Sequence, residues 1–212
     1  MASDGAGGVA ERFDGFIAGL GTAAGVRLVV GHWPRSPFGS FTDVMVERPD
    51  GHRLLLAPTA RVAEFVAATY RFDEVRVGPV AARTDGVRWW VDAPPLALTF
   101  TTGGRAPLGR LLRLVPRGLA VRPGWIATVD VVARLVLPGV RTRGSAGDGR
   151  DEFYGALDLH RIDAATATWD GADLGALAPV DPPVRFGFGS TPRAPSLTRV
   201  VTLVRGAPLA GP

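Results

Sequence analysis

The sequence predicts an α+β fold that is mainly antiparallel β: a twisted sheet or barrel with two to four peripheral helices. Three observations point there. Short runs rich in β-branched and aromatic residues recur along most of the chain. Tight-turn sequences such as "RPDG" and "TDG" separate them. Strands that follow one another at this spacing favour antiparallel neighbours over βαβ units.

Residues 1–8, "MASDGAGG", are expected to be disordered, and residues 9–212 to form a single β-rich globular domain. In "VAERFDGFIAGLG", Val9, Phe13, Phe16, Ile17 and Leu20 fall on one helical stripe that Gly21 can close. "GVRLVVGHWP" reads as a strand ending at Pro34, and "SPFGSFTDVMVERPDGHRLLLAP" as two strands around Pro49-Asp50-Gly51. Thr59 can cap a helix over "ARVAEFVAATY", with Val62, Phe65, Val66 and Thr69 or Tyr70 on its buried face. "DEVRVGPVAART" and "VRWWVDAPPLALTFTTG" are strands. "PLGRLLRLVP" is a short amphipathic helix with Leu108, Leu111, Leu112 and Val115 on one face and Arg110 and Arg113 on the other. "GWIATVDVVARLVLPG" is ambiguous: β-branched content argues strand, length argues helix. "FYGALDLHRI", "ATATWDG", "VRFGFGS" and "LTRVVTLV" are further strands.

Composition excludes several chemistries. There is no cysteine, hence no disulfide, thiolate metal site or cysteine nucleophile. There is no lysine, so all 24 basic residues are arginine, and neither an internal Schiff base nor a P-loop lysine is available. The net charge of +4 is too small to argue for nucleic acid. No apolar run approaches the ~20 residues of a membrane span, and no signal-peptide pattern is present. The expectation is a soluble, cytoplasmic protein with no stable membrane insertion and no nucleic-acid partner.

Residues 141–160, "RTRGSAGDGRDEFYGALDLH", suggest two readings. Gly144, Gly147 and Gly149 could curl backbone N–H groups around an anion, with Arg141 and Arg143 supplying charge. The alternative, an exposed hairpin, has more in its favour, because the loop leads into an alternating strand rather than a helix. Along that strand Tyr154, Asp158 and His160 share one face if the alternation is regular. His160 would then be a base, Asp158 its orienting partner and Tyr154 a hydroxyl donor, the parts of general acid–base catalysis. The competing reading is a solvated face opposite a leucine core. In "PPVRFGFGSTPRAP" the glycines strip one face of bulk. Arg185, Phe188 and Ser190 are candidate ligand contacts there, and a tight barrel corner is the alternative. His32, His52 and His160 show no metal-ligand spacing, so neither a metal nor a cofactor is expected.

The order of a strand pair, a capped helix with an aromatic near its end, and strands starting near "FDEVRVGPV" resembles acetoacetate decarboxylase and its relatives. "EFYGALDLHRIDAATATWDGADL" is similar in layout to their histidine-bearing strand and tryptophan turn. The resemblance covers roughly two thirds of the chain. It implies a twisted antiparallel barrel with helices outside and a small-molecule pocket within. The family's Arg-Glu pair and its Gly-Phe-Pro-Lys turn are not matched in "AATYRFDEV". Ala67 and Ala68 replace the pair, Glu74 lies near the lysine position, and only Phe72 agrees. No catalytic residue carries over.

These readings converge on a pocket-bearing, barrel-like protein whose partner is a small, largely apolar molecule with a carboxylate or carbonyl group. The sequence leaves open whether it is an enzyme; if so, the chemistry is lyase- or hydratase-like acid–base catalysis without a Schiff base. Homo-oligomerisation is also left open. The alternative is a non-enzymatic interaction or peripheral membrane module using the arginine-rich 105–122 segment, with Arg105, Arg110, Arg113, Arg117 and Arg122.

Overall fold

The β-branched and aromatic runs assemble into one sheet. The structure, a computed structural model, describes residues 11–116, 118, 143–146, 150–187 and 191–205, with 143–146, 150–152 and 205 described by backbone alone. The elements are β1 (Glu11–Thr22), β2 (Arg27–Arg35), β3 (Phe41–Glu47), β4 (Arg53–Ala57), α1 (Ala60–Thr69), β5 (Glu74–Val77), β6 (Ala81–Thr84), β7 (Arg88–Ala93), β8 (Leu96–Arg105), α2 (Pro107–Leu112), β9 (Arg143–Ala146), β10 (Arg150–Trp169), β11 (Ala172–Asp173), β12 (Leu177–Ala178) and β13 (Ser196–Arg205). The spatial order is β5-β4-β3-β2-β1-β13-β10-β8-β7-β6. The pairs are antiparallel except β4–β5, which are parallel because α1 carries the chain back between them. That edge is a βαβ unit, where the sequence favoured antiparallel pairing.

The sheet curls, so residues from its two ends meet. Val44, Val46, Leu54 and Leu56 join Trp89, Val91, Leu98 and Phe100 in one core on the concave side. There the Trp89 and Phe100 rings stack at 5.7 Å. The convex side is covered twice. Helix α1 lays Val62, Phe65 and Val66 over Phe13, Phe41 and Leu55. The segment 180–187, here called the strap, lays Val180, Val184 and Phe186 over Val29. Thr59 caps α1, accepting the Val62 N–H at 3.2 Å as its sequence requires.

Several expectations change. The stripe read as a helix over residues 9–20 is strand β1. Phe13 faces the convex core, while Phe16 and Leu20 face the concave one. A strand buried on both faces loses its polar alternation, and its apolar residues then mimic a helical stripe. "FYGALDLHRI" and "ATATWDG" form one 20-residue strand, β10, interrupted only by register shifts. Helix α2 buries Gly109 and half-buries Leu108 and Leu112, and Val115 just beyond it is half-buried too, with Arg110 and Arg113 exposed. The expected face is therefore the packed one except for Leu111, which is 62% exposed. Residues 184–187 of "VRFGFGS" are not a strand. The segments 1–8 and "GWIATVDVVARLVLPG" lie outside the described residues.

A buried ion cluster ties the strap to the sheet. Glu47 is fully buried; its Oε1 meets Arg27 Nη2 at 3.0 Å and Arg185 Nε at 2.9 Å, and its Oε2 accepts the Arg185 backbone N–H at 2.7 Å. Glu47→Ala leaves Arg27 buried without its carboxylate and unlatches the strap. The expected loss is about 3–5 kcal/mol in urea denaturation, whereas a surface pair would register under about 1 kcal/mol.

Candidate functional site

The convex face of the sheet, α1 and the strap line a cavity of about 70 Å³ that is open on one side. Its walls are mostly apolar and aromatic, from Phe13, Ile17, Val29, Phe65, Val184 and Phe186 among others. Six polar side chains of described residues interrupt them: the hydroxyls of Thr69 and Thr191 donate to the backbone carbonyls of Phe65 and Pro192, and four others remain. Tyr70 ends α1 and Tyr154 belongs to β10; their hydroxyls are hydrogen-bonded to each other. Thr202 of β13 is 4% exposed, and its hydroxyl has no hydrogen-bond partner among the described residues. A buried orphan hydroxyl carries a desolvation cost of about 1–3 kcal/mol that a ligand acceptor would relieve.

The fourth is Asp43, 2% exposed, on the cavity-facing side of β3. Its Oδ1 accepts the indole N–H of Trp33 at 3.1 Å. Burial drives its pKa up from 3.8 to about 7, against the smaller opposing pulls of Trp33 and of its own backbone N–H. Among the described residues no arginine or histidine pairs with it. Gly31 stands directly across the ladder from Asp43. A Cβ there would lie 2.5 Å from Asp43 Oδ1 and 2.7 Å from Trp33 Nε1, so the missing side chain is what admits this pair. The sequence signal was present but quiet: one acid inside the apolar strand "FTDVMVE", and a glycine between "VV" and "HW".

The residues singled out from sequence are dispersed. The ladder between β10 and β13 slips by one residue between Ala156 and Asp158. Tyr154 stands opposite Thr202, on the cavity side, whereas Asp158 stands opposite Arg199, in a row that runs through Phe16 and His32 on the concave side. The bulge at Leu157 therefore separates Tyr154 from Asp158 and His160, and regular alternation is corrected.

Asp158 binds Arg105 Nε at 2.7 Å and accepts the Leu159 N–H at 2.9 Å. Burial raises its pKa, but these partners outweigh it and hold the carboxyl below the usual range. His160 donates Nδ1–H to the Gly103 carbonyl at 3.1 Å, and its Nε2 is 3.6 Å from Asp158, beyond hydrogen-bonding distance. Arg185 is engaged with Glu47. Arg143 pairs through its backbone with Phe153, so residues 143–146 and 150–153 form the hairpin expected there. Arg141, Phe188 and Ser190 lie outside the described residues; Gly187 and Thr191, which bracket the last two, line the cavity. His32 bonds Thr42 at 2.9 Å, and His52 bonds Glu74 at 3.1 Å. No group of three metal-ligating side chains occurs among the described residues, and no described helix is long and apolar enough to cross a membrane.

No protein-family model matches the chain, and no curated protein matches it significantly. Among solved structures it is similar to acetoacetate decarboxylase from Legionella pneumophila, at 10% identity and TM-score 0.43, over 93% of this chain and 85% of that one. It is also similar to a Nitrosomonas europaea protein carrying the designation AttH, at 12% identity and TM-score 0.39, over 97% of this chain but 55% of that one. The resemblance read from the sequence is thus among those found by structure comparison.

Two outcomes follow from the geometry. Gly31→Ala forces Asp43 and Trp33 apart and should cost about 1–3 kcal/mol in denaturation, with a shift in tryptophan fluorescence. Asp43 also gives a pH signature. The folded state holds its proton more tightly than the unfolded chain. Its contribution is therefore complete below about pH 4 and is lost as pH rises through about 7. Asp14 and Asp158, held below the usual range, act oppositely, losing their contribution on acidification below about pH 4. Urea titrations should show that Asp43→Asn flattens the stability slope between about pH 4 and 7 and leaves the acid limb unchanged.

Proposed function

We propose that the protein binds a small, largely apolar molecule carrying a carbonyl group in the cavity under α1, where the protonated Asp43 carboxyl donates a hydrogen bond to the ligand oxygen. The observation that carries this reading is a buried carboxyl facing an apolar cavity with no cation beside it among the described residues. Such a group is readily kept neutral, and a neutral carboxyl is a donor. The Thr202 hydroxyl supplies a second donor. A ketone, ester or un-ionised acid satisfies both, whereas an ionised carboxylate would enter a site with no positive charge among its described lining residues. Of the acid–base residues read from sequence, this site uses Tyr154, while Asp158 and His160 lie across the sheet.

The test is a ligand titration followed by NMR and thermal shift, using cyclopentanone, butanone and methyl acetate against methylcyclopentane. The oxygenated ligands should raise Tm and perturb the Trp33 indole signal. Asp43→Leu should weaken their binding about tenfold, and Thr202→Val by several-fold, as loss of one buried hydrogen bond each implies. His160→Ala should stay within about twofold of wild type, since it shares no partner with the cavity. Unchanged ketone affinity in Asp43→Leu would sink the reading.

A further inference from the structure

We infer that the same cavity, with Asp43 ionised, accepts a small alkylammonium ion. This rests on the reading of the cavity as a ligand site and extends it to a second chemical class. A carboxylate enclosed in protein calls for a positive partner, because charge removed from water is costly unless paired. The described residues provide none: no arginine or histidine lines the cavity, and the carboxyl's side-chain contact is the neutral indole N–H of Trp33. A cationic ligand would bring the missing charge.

The walls suit a soft, weakly hydrated cation rather than a metal ion. The rings of Phe13, Trp33, Phe41, Phe65, Tyr70 and Phe186 contribute to the lining. Aromatic faces attract alkylammonium groups, whose methyl groups also replace water against apolar surface. A hard metal ion would need several oxygen ligands, and no three-residue metal cluster is found among the described residues. Besides Asp43, the ionisable side chains among the described lining residues are Tyr70 and Tyr154, whose hydroxyls are hydrogen-bonded to each other. Asp43 is then the group whose ionisation sets the charge of the cavity between about pH 6 and 8. The two ligand classes call for opposite forms of one side chain, so a rise in pH favours the cation and disfavours the carbonyl compound.

The experiment titrates tetramethylammonium chloride at constant ionic strength, with tert-butanol as the neutral isostere and cyclopentanone in parallel, at about pH 6 and about pH 8. Tetramethylammonium keeps its charge throughout, so any pH dependence belongs to the protein. Its affinity should rise about tenfold between the two values, as the ionised fraction does, while that of cyclopentanone falls. Asp43→Asn should abolish tetramethylammonium binding, and should remove the pH dependence of whatever cyclopentanone binding it retains. The wild-type pH dependence stands as a second test that needs no variant. Cyclopentanone binding without tetramethylammonium binding at pH 8 overturns this inference and leaves the carbonyl reading intact. Failure of both ligands overturns both. Equal tetramethylammonium affinity at the two pH values, or in wild type and Asp43→Asn, also overturns it.

Discussion

The structure depends on a sheet that is apolar on both faces. Curling brings the strands of its two ends around one core, and the opposite face is then too apolar to meet water. Helix α1 and the strap cover it, and each contributes its own cluster of buried residues. The cavity lies where these two covers meet the strands. Its position follows from covering one curved surface with two pieces, a helix and an irregular segment, that do not fill the space between them.

The expectation from the family resemblance was a pocket within the barrel. The described cavity instead lies outside the curve, because the concave side is filled: Trp89 stacks on Phe100 and meets Phe16 and His32 edge-on. Irregular backbone on the convex side needs an anchor, and Glu47 supplies one. It binds Arg185 by side chain and main chain together, an arrangement suited to the forked donors of arginine in a chain without lysine. The residue that looked like a ligand contact in the sequence thus holds one wall of the cavity in place.

Local chemistry was legible where it acts locally. The Pro49-Asp50-Gly51 turn, with Gly51 at φ +87°, the Thr59 cap and the strand at "LTRVVTLV" each follow from a few adjacent residues. Strand β1 was not legible, because its two buried faces erase the alternation that marks a strand. Nor was the relation of Tyr154 to His160, which depends on one unpaired residue in a ladder with a distant strand. Asp43 was visible as a residue but not as a site. Its character comes from Gly31 and Trp33 across the ladder, from Thr202 near the end of the chain and from the strap, none of which is close to it in sequence.

The bulge at Leu157 has a consequence for how this chain tolerates changes in length. Ala156 pairs with Val200 and Asp158 with Arg199, so Leu157 is the residue the ladder does not count. Excising it would restore regular pairing while Tyr154 kept its place opposite Thr202 and Asp158 its place opposite Arg199. Within the regularly paired stretches of β10, by contrast, a single-residue deletion would carry the side chains beyond it to the wrong face. The bulge is thus an expansion joint in the longest strand, where the chain can lose one residue without exchanging the two surfaces of the sheet.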